Sequence, residues 1–281
     1  MYDEIYNYRK ELQTLGYSKS VSESYPKYVK YFLEFTPEIL QNISEDHIKI
    51  YHEYLQQKPN QRRKGKLSES YIHSQEIGIK LFFDYLERID QIKQNPFTLK
   101  LKSPKNEIRN VLSREEIKIL YNHCERLEET VILHLCYGCG LRRSEAQNLN
   151  RKDIHFEQKM LYVRKGKGKK RRAIPITEAI TEDFKKYQDF SIKYQDDEAF
   201  ITNNQGKRMT GGKIYVIFKN LLKRTNSQLK TKAICLHSLR HSIATHLLEN
   251  DMSIEMVRDF LGHSQLATTQ IYTRINQLNM R

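Results

Sequence analysis

The chain has 281 residues and a formal net charge of +14, with 48 Lys and Arg against 34 Asp and Glu. That length can bury a substantial core and fill two domains, and a positive surplus of this size favours a polyanionic partner, either nucleic acid or an anionic membrane surface. There is no apolar run of about 18 residues to span a bilayer, the polar, acidic start Met1-Tyr-Asp-Glu-Ile-Tyr-Asn-Tyr is not a secretory signal, and four cysteines are too few for a disulfide scaffold, so a cytoplasmic protein is expected.

The first hundred residues read as helices. Ser20 to Phe35 carries Tyr25, Tyr28, Tyr31 and Phe32 at roughly helical spacing. A capped helix with acidic residues in its first turn runs from Ser44 to about Gln57, and a longer one from Ser68 to near Ile89. Between them lies a basic loop, Lys58 to Lys66, in which Arg62, Arg63, Lys64 and Lys66 are candidates to hold DNA phosphates; such a loop can equally be just solvated. Asn95-Pro-Phe and Ser103-Pro-Lys-Asn-Glu form a polar, turn-rich linker. The domain boundary is placed there, with one domain at residues 1–104 and a second at 105–281.

Ser113 followed by Glu116 is a capping-box pattern and starts a helix to about Cys124. Another helix spans about Leu127 to Tyr137, and Cys136-Tyr-Gly-Cys139 ends its apolar run. No second pair of Cys or His stands near enough to complete a zinc site, so these are read as small buried residues. Asp153-Ile-His-Phe, Lys159 to Val163 and Arg172 to Ile176 read as strands of a small antiparallel sheet, the last two joined at Gly166-Lys-Gly168. Helices resume at about Glu178 to Tyr194, Gly212 to Arg224, Ser238 to Glu249, Ile254 to Phe260 and Ala267 to Asn276.

Several residues have chemistry in them. In Gly140-Leu-Arg-Arg-Ser-Glu145 the glycine releases the chain into a turn, Arg142 projects from it, and Glu145 can orient a neighbour; a guanidinium meets two phosphate oxygens in a planar fork. From Arg164 to Arg172 seven of nine residues are basic. Lysines on a glycine-rich hairpin tip can reach a groove or a scissile phosphate, and the order is not that of a phosphate-cradling P-loop. Lys165, Lys169, Lys170, Arg171 and Arg172, with Arg143, are candidates for DNA contact, and one lysine of this hairpin is expected to act chemically as well. His237 and Arg240, three apart at a helix start, are expected on one side; His263 follows Gly262 in a turn. His237, His241, His246 and His263 lie close in sequence but lack the H-E-x-x-H pattern and acidic or thiolate companions, so no metal is expected. Tyr272 is one of 18 tyrosines and stands out only through the basic set before it. A phenol with pKa near 10 needs positive surroundings or a base to attack phosphorus.

Together these motifs resemble the tyrosine recombinase (phage integrase) family, within it the Xer-like and mobile-element integrases. The residues that carry the likeness are Gly140-Leu-Arg142-Arg-Ser-Glu145, Gly166-Lys167-Gly168, His237-Ser-Leu-Arg240-His-Ser-Ile-Ala-Thr-His, Leu261-Gly-His263-Ser and Thr268-Thr-Gln-Ile-Tyr272. The resemblance implies a mainly α fold with a small antiparallel sheet: a helical, SAM-like core-DNA-binding domain followed by an α+β catalytic domain. It implies Tyr272 as nucleophile forming a 3′-phosphotyrosyl bond, Arg142 and Arg240 clamping the scissile phosphate, and Lys167 protonating the leaving 5′ oxygen. His263 would hydrogen-bond the phosphate, His237 would bind it or accept the tyrosine proton, and Glu145 would support the active-site arginine. It further implies recombination through a Holliday junction without metal, nucleotide or other cofactor. The implied partners are double-stranded DNA recombination sites in a homotetramer, with a partner recombinase or directionality factor open. Only nine residues follow Tyr272, so the contact between neighbouring subunits is expected to be shorter than in many relatives, and no extra arm-binding domain is expected. The alternatives are a type IB topoisomerase-like strand transferase, which relaxes supercoils as a monomer, and a DNA-binding regulator without catalysis. A basic RNA-binding protein fits less well, because no aromatic-rich sheet motif is present.

Overall fold

The computed structural model describes residues 2–61, 64–101, 110–164, 171–192, 198–225, 229 and 232–262. The chain divides into two compact units, Met1–Glu107 and Ile108–Arg281.

Among its described residues the first unit has four α-helices, α1 (Tyr2–Thr14), α2 (Lys19–Phe35), α3 (Glu45–Gln57) and α4 (Glu69–Arg88), with a short 3-10 turn at Leu40–Asn42. Serine side chains start two of them: Ser18 accepts from the Val21 amide and Ser68 from the Tyr71 amide. At α3 the Ser44 hydroxyl and amide both meet the His47 ring. Its core mixes aliphatic and aromatic side chains. Tyr8 sets its ring edge on Phe82 and donates to the Gly78 carbonyl at 2.9 Å, while Phe32 lies between Tyr51 and Phe83. α1 was not separately placed from the sequence. In the basic loop, Asn60 donates to the Gly65 carbonyl, and Lys64 and Lys66 are exposed; Arg62 and Arg63 lie outside the described residues.

The second unit wraps helices around a three-stranded antiparallel sheet, β1 (Ile154–His155), β2 (Met160–Val163) and β3 (Arg172–Pro175). Ile154 pairs with Leu161, Leu161 with Ile174, and Val163 with Arg172. Directly paired residues share a sheet face, so Arg172 belongs to the face of buried Leu161, Val163 and Ile174. The Gly166–Gly168 turn lies outside the described residues. The helices are α5 (Arg114–Asn122), α6 (Leu127–Leu133), α7 (Arg143–Gln147), α8 (Glu178–Ile192), α9 (Gly211–Arg224), α10 (Leu236–Glu249) and α11 (Ile254–Leu261). The Ser113–Glu116 box closes in both directions, with the Glu116 amide donating to Ser113 and the Ser113 amide to Glu116.

One element departs from the sequence reading. The helix expected to run from Leu127 to Tyr137 is α only to Leu133, and continues as a π-helical turn, His134–Gly138. The Cys139 amide donates to the His134 carbonyl five residues back, so the turn holds one more residue than an α-helix would, and the Leu141 amide closes it on the Leu135 carbonyl. Cys136 and Cys139 are both fully buried there; burial pushes the Cys136 thiol up to about 12 and Cys139 higher still, so both stay protonated. The turn packs on α10 and delivers the chain to Gly140 and Arg142.

Among the described residues no helix is long and apolar enough to cross a membrane.

Candidate active site: an arginine cluster on one carboxylate

α7 is a single short helix, and its purpose is visible at its first turn. Glu145 sits at the third helical position and reaches back to accept the Arg142 amide at 2.9 Å. The same carboxylate accepts from Arg142 Nη1 at 2.7 Å. From β3 Arg172 lies across it bidentately, Nη2 to Oε2 at 2.8 Å and Nη1 to Oε1 at 3.2 Å. From α10 Arg240 brings Nη1 to within 3.7 Å of Oε2. Burial by itself would raise the Glu145 carboxyl, but the hydrogen bonds and charge of Arg172, joined by those of Arg142, outweigh it and hold the pKa down at about 2. Glu145 is therefore ionised across the working pH range. Among the described residues, three guanidinium groups around one carboxylate give the cluster a formal charge of +2.

The rest of the cluster's geometry comes from a helix end. The last carbonyls of α11 have no partner within the helix, and they form the negative end of its dipole. Three successive carbonyls there each accept from a different arginine: Phe260 from Arg172 Nε at 2.9 Å, Leu261 from Arg240, and Gly262 from Arg142 Nη2 at 3.5 Å. Arg240 also donates to the Gly140 carbonyl. Two glycines make this convergence possible. Gly262 ends α11 in the left-handed region at φ 65°, and a Cβ there would come within 3.0 Å of the Arg172 side chain. Gly140 turns at φ 58°, and a Cβ there would stand 2.8 Å from Leu261 Cδ2.

The structure thus brings Arg142, Glu145 and Arg240 together, and adds Arg172. That last residue was expected among the DNA-facing residues of the hairpin; only 7% of its side chain is exposed, and its fork is occupied by Glu145. The physical reason is register: opposite Val163, residue 172 falls on the core face. Of the three arginines Arg142 has the most accessible side chain, 21%, whereas Arg240 is fully buried. His237, three residues before Arg240 on α10, differs from it in exposure. Three residues separate the two positions by about 60° around the axis, but Arg240 runs inward while the exposed His237 sets its ring 4.4 Å from that of His241. Arg143 and Arg171 are exposed. Lys165, Lys167, Lys169, Lys170, His263 and Tyr272 lie outside the described residues. His246 is tied up elsewhere, its Nδ1 2.9 Å from the Tyr137 hydroxyl. Among the described residues no three His, Cys, Asp or Glu side chains gather as a metal would require.

Arg142, Arg172 and Arg240 thus gather on Glu145 as a largely buried cationic cluster at the end of α11. The family model for the phage integrase family matches residues 110–278. A tyrosine recombinase of Thermosipho africanus is 30% identical over 92% of this chain and 90% of its own length. XerD of Halalkalibacterium halodurans is 30% identical over 95% and 90%, and XerA of Pyrococcus horikoshii 34% identical over 65% of this chain and 63% of its own length. Among solved structures, a XerA recombinase superposes with a TM-score of 0.55 at 26% identity over 96% of this chain and 93% of that one. The Tn1549 transposon integrase in complex with transposon right end DNA superposes with a TM-score of 0.77 at 19% identity, over 96% and 94%, a likeness of fold. The chain belongs to the phage integrase family, as a tyrosine recombinase of Xer type that cleaves and rejoins DNA.

Proposed function

We propose that the second unit holds the scissile phosphate of a DNA recombination site on the arginine cluster, and that Tyr272 attacks it. The observation that carries this reading is the two-charge surplus around Glu145, held in low-dielectric surroundings before any substrate arrives. Arg142 offers the accessible guanidinium. Arg240, whose guanidinium donates to the Gly140 and Leu261 carbonyls, joins by exchanging a carbonyl for a phosphate oxygen. The Tyr272 oxygen bonds to phosphorus, the bond to the 5′ oxygen breaks, and the leaving oxygen takes a proton from Lys167. His237 binds the phosphate or takes the phenol proton, which otherwise goes to solvent, and His263 donates to a non-bridging oxygen. The phosphotyrosine conserves the energy of the broken bond, so rejoining draws on no nucleotide. The first unit serves as the core-DNA-binding half, with Arg62, Arg63, Lys64 and Lys66 on phosphates; Arg143, Lys165, Lys169, Lys170 and Arg171 add backbone contacts in the second. Four copies act on two paired sites in the cytoplasm, alone or with a partner recombinase or directionality factor.

The test is covalent trapping. The protein is incubated with DNA from its own genomic neighbourhood, denatured in SDS, and the DNA-linked peptide is mapped. Linkage through Tyr272, lost in Tyr272→Phe with DNA affinity retained, is the expected result. Cleavage that survives in Tyr272→Phe overturns the assignment, and relaxation of supercoils by a monomer acting at single sites would favour a topoisomerase-like enzyme.

A further inference from the structure

Arg172 stands outside every role given to the hairpin so far. It opens β3, immediately after the basic hairpin tip, yet its guanidinium is turned to the core. It makes three hydrogen bonds, two to Glu145 and one to the Phe260 carbonyl. Glu145 would be able to pair in other ways. A carboxylate beside an arginine prefers the bidentate fork, and Arg142 is within reach. In this structure the fork position belongs to Arg172, so the Arg142 side chain gives Glu145 only Nη1. The rest of the Arg142 edge is left to the long contact with the Gly262 carbonyl. The Phe260 bond meanwhile fixes the helix end from which residue 263 departs.

We propose that Arg172 is a positioning residue for the oxyanion site: by occupying the fork of Glu145 and the Phe260 carbonyl, it holds Arg142 in a singly bonded, anion-receptive pose. This rests on reading the arginine cluster as the phosphate site. Without Arg172, Glu145 is free to take Arg142 bidentately and cancel the charge the anion needs. Glu145 also loses its chief counter-cation, so its carboxyl protonates at a higher pH. The charged groups around it are Arg142 from α7, Arg172 from β3 and Arg240 from α10; the Cys136 thiol of the π turn, pushed up to about 12 by burial, stays neutral.

The probe is sulfate, a dianion whose charge is constant above about pH 3, titrated into the full chain and followed by amide NMR at fixed ionic strength in chloride. At pH 7 Arg172→Gln should weaken sulfate about tenfold, since hydrogen bonds to charged groups carry about that much. Lys207→Gln, an exposed control with the same change in net charge, should weaken it less than about twofold. The distinguishing readout is the pH profile between 5.5 and 4, in which a double variant that also carries Glu145→Gln separates Glu145 from every other titrating group. Protonation of Glu145 in Arg172→Gln releases Arg142 and sulfate affinity should recover about threefold; in the wild type Glu145 stays ionised and that recovery is missing. Arg172→Lys, which keeps the charge without the fork, should weaken sulfate at pH 7 as Arg172→Gln does. The double variant Glu145→Gln, Arg172→Gln buries no unpaired carboxylate, so it keeps the question open to experiment if Arg172→Gln folds poorly. It should show no recovery on acidification. A flat profile in a folded Arg172→Gln, or a recovery that persists in the double variant, overturns the positioning role and leaves the phosphate site standing. Wild-type sulfate affinity unmoved by Arg142→Gln and Arg240→Gln would instead overturn the phosphate site, and the positioning role with it.

Discussion

Two glutamates of the second unit begin alike and end differently. Glu129 and Glu145 both sit at the third position of a helix, both reach back to a backbone amide of the preceding turn, and both are nearly fully buried against arginines. At Glu129 the partners are Arg126 and Arg224, side chains 57% and 30% exposed. Those arginines also meet Glu128 and Glu125, so the group carries more negative than positive charge. At Glu145 three arginines converge with no second acid within salt-bridge reach among the described residues. Both carboxyls are held below their ordinary value: burial raises each, and arginine hydrogen bonds outweigh it. A depressed pKa therefore does not separate a brace from a site. The sign of the charge left over does, because only a positive surplus attracts a phosphate.

The largest expected effect would break this comparison if it failed. Arg142→Gln should slow formation of the covalent DNA complex by at least about 100-fold, the usual loss when one donor to a developing oxyanion is removed, with little change in melting temperature. Arg224→Gln should do the reverse. It leaves Glu129 buried beside a mostly exposed Arg126, which costs about 3 kcal/mol, while cleavage by the folded fraction is unchanged. Melting curves beside single-turnover trapping decide it, and equal effects of both variants on both readouts would erase the distinction. A smaller effect concerns pH. The Glu145 carboxyl is lowered from 4.5 to about 2, so its ionised form stabilises the folded chain at all pH above the unfolded value of 4.5. That contribution declines as pH falls below 4.5 and is gone below about 2. Acid unfolding of wild type and Glu145→Gln should accordingly show a gap on the order of 3 kcal/mol above pH 4.5 that closes toward pH 2. A gap that is constant down to pH 2 would mean the cluster does not hold the charge.

How much of this can be read from the sequence depends on whether a signal is local. Ser113 with Glu116 marks a helix start because both partners of the box lie within one turn, and the structure forms both bonds. The strands are visible because alternation has period two, and the same alternation already places residue 172 in phase with Ile174 and Ile176. Arg172 reads as a surface residue only because six basic neighbours surround it. The π turn is hidden: from Val131 to Tyr137 only His134 and the Tyr137 hydroxyl break an apolar run, so no periodicity distinguishes a 3.6-residue turn from a wider one. Hidden for a different reason are the acceptors at Phe260, Leu261 and Gly262. They are backbone carbonyls, which every residue has, and only the folded path shows that three arginines from α7, β3 and α10 end there. For Arg240 and His237 the spacing was legible, but not that the longer side chain runs into the core while the shorter stays outside.

The smallest effect separates the two glutamates by screening. Salt shortens the range of exposed charges, from about 10 Å at 0.1 M to about 3 Å at 1 M, and reaches buried pairs much less. Arg126 and Arg224 are open to that ion atmosphere; Arg172, 7% exposed, is not. Each carboxylate reports on itself through the amide it accepts. The Glu125 amide donates to Glu129 at 3.0 Å, and the Arg142 amide to Glu145 at 2.9 Å. When an arginine is screened away the carboxylate is held less firmly, and the amide it caps opens more often. Raising KCl from 0.1 to 1 M should therefore speed hydrogen exchange at Glu125 by about twofold, the loss of a few tenths of a kcal/mol expected of a partly exposed pair. Exchange at Arg142 should stay constant. If Arg142 accelerates as much as Glu125, the Glu145 cluster is open to solvent ions, and its surplus charge would be screened before a phosphate could use it.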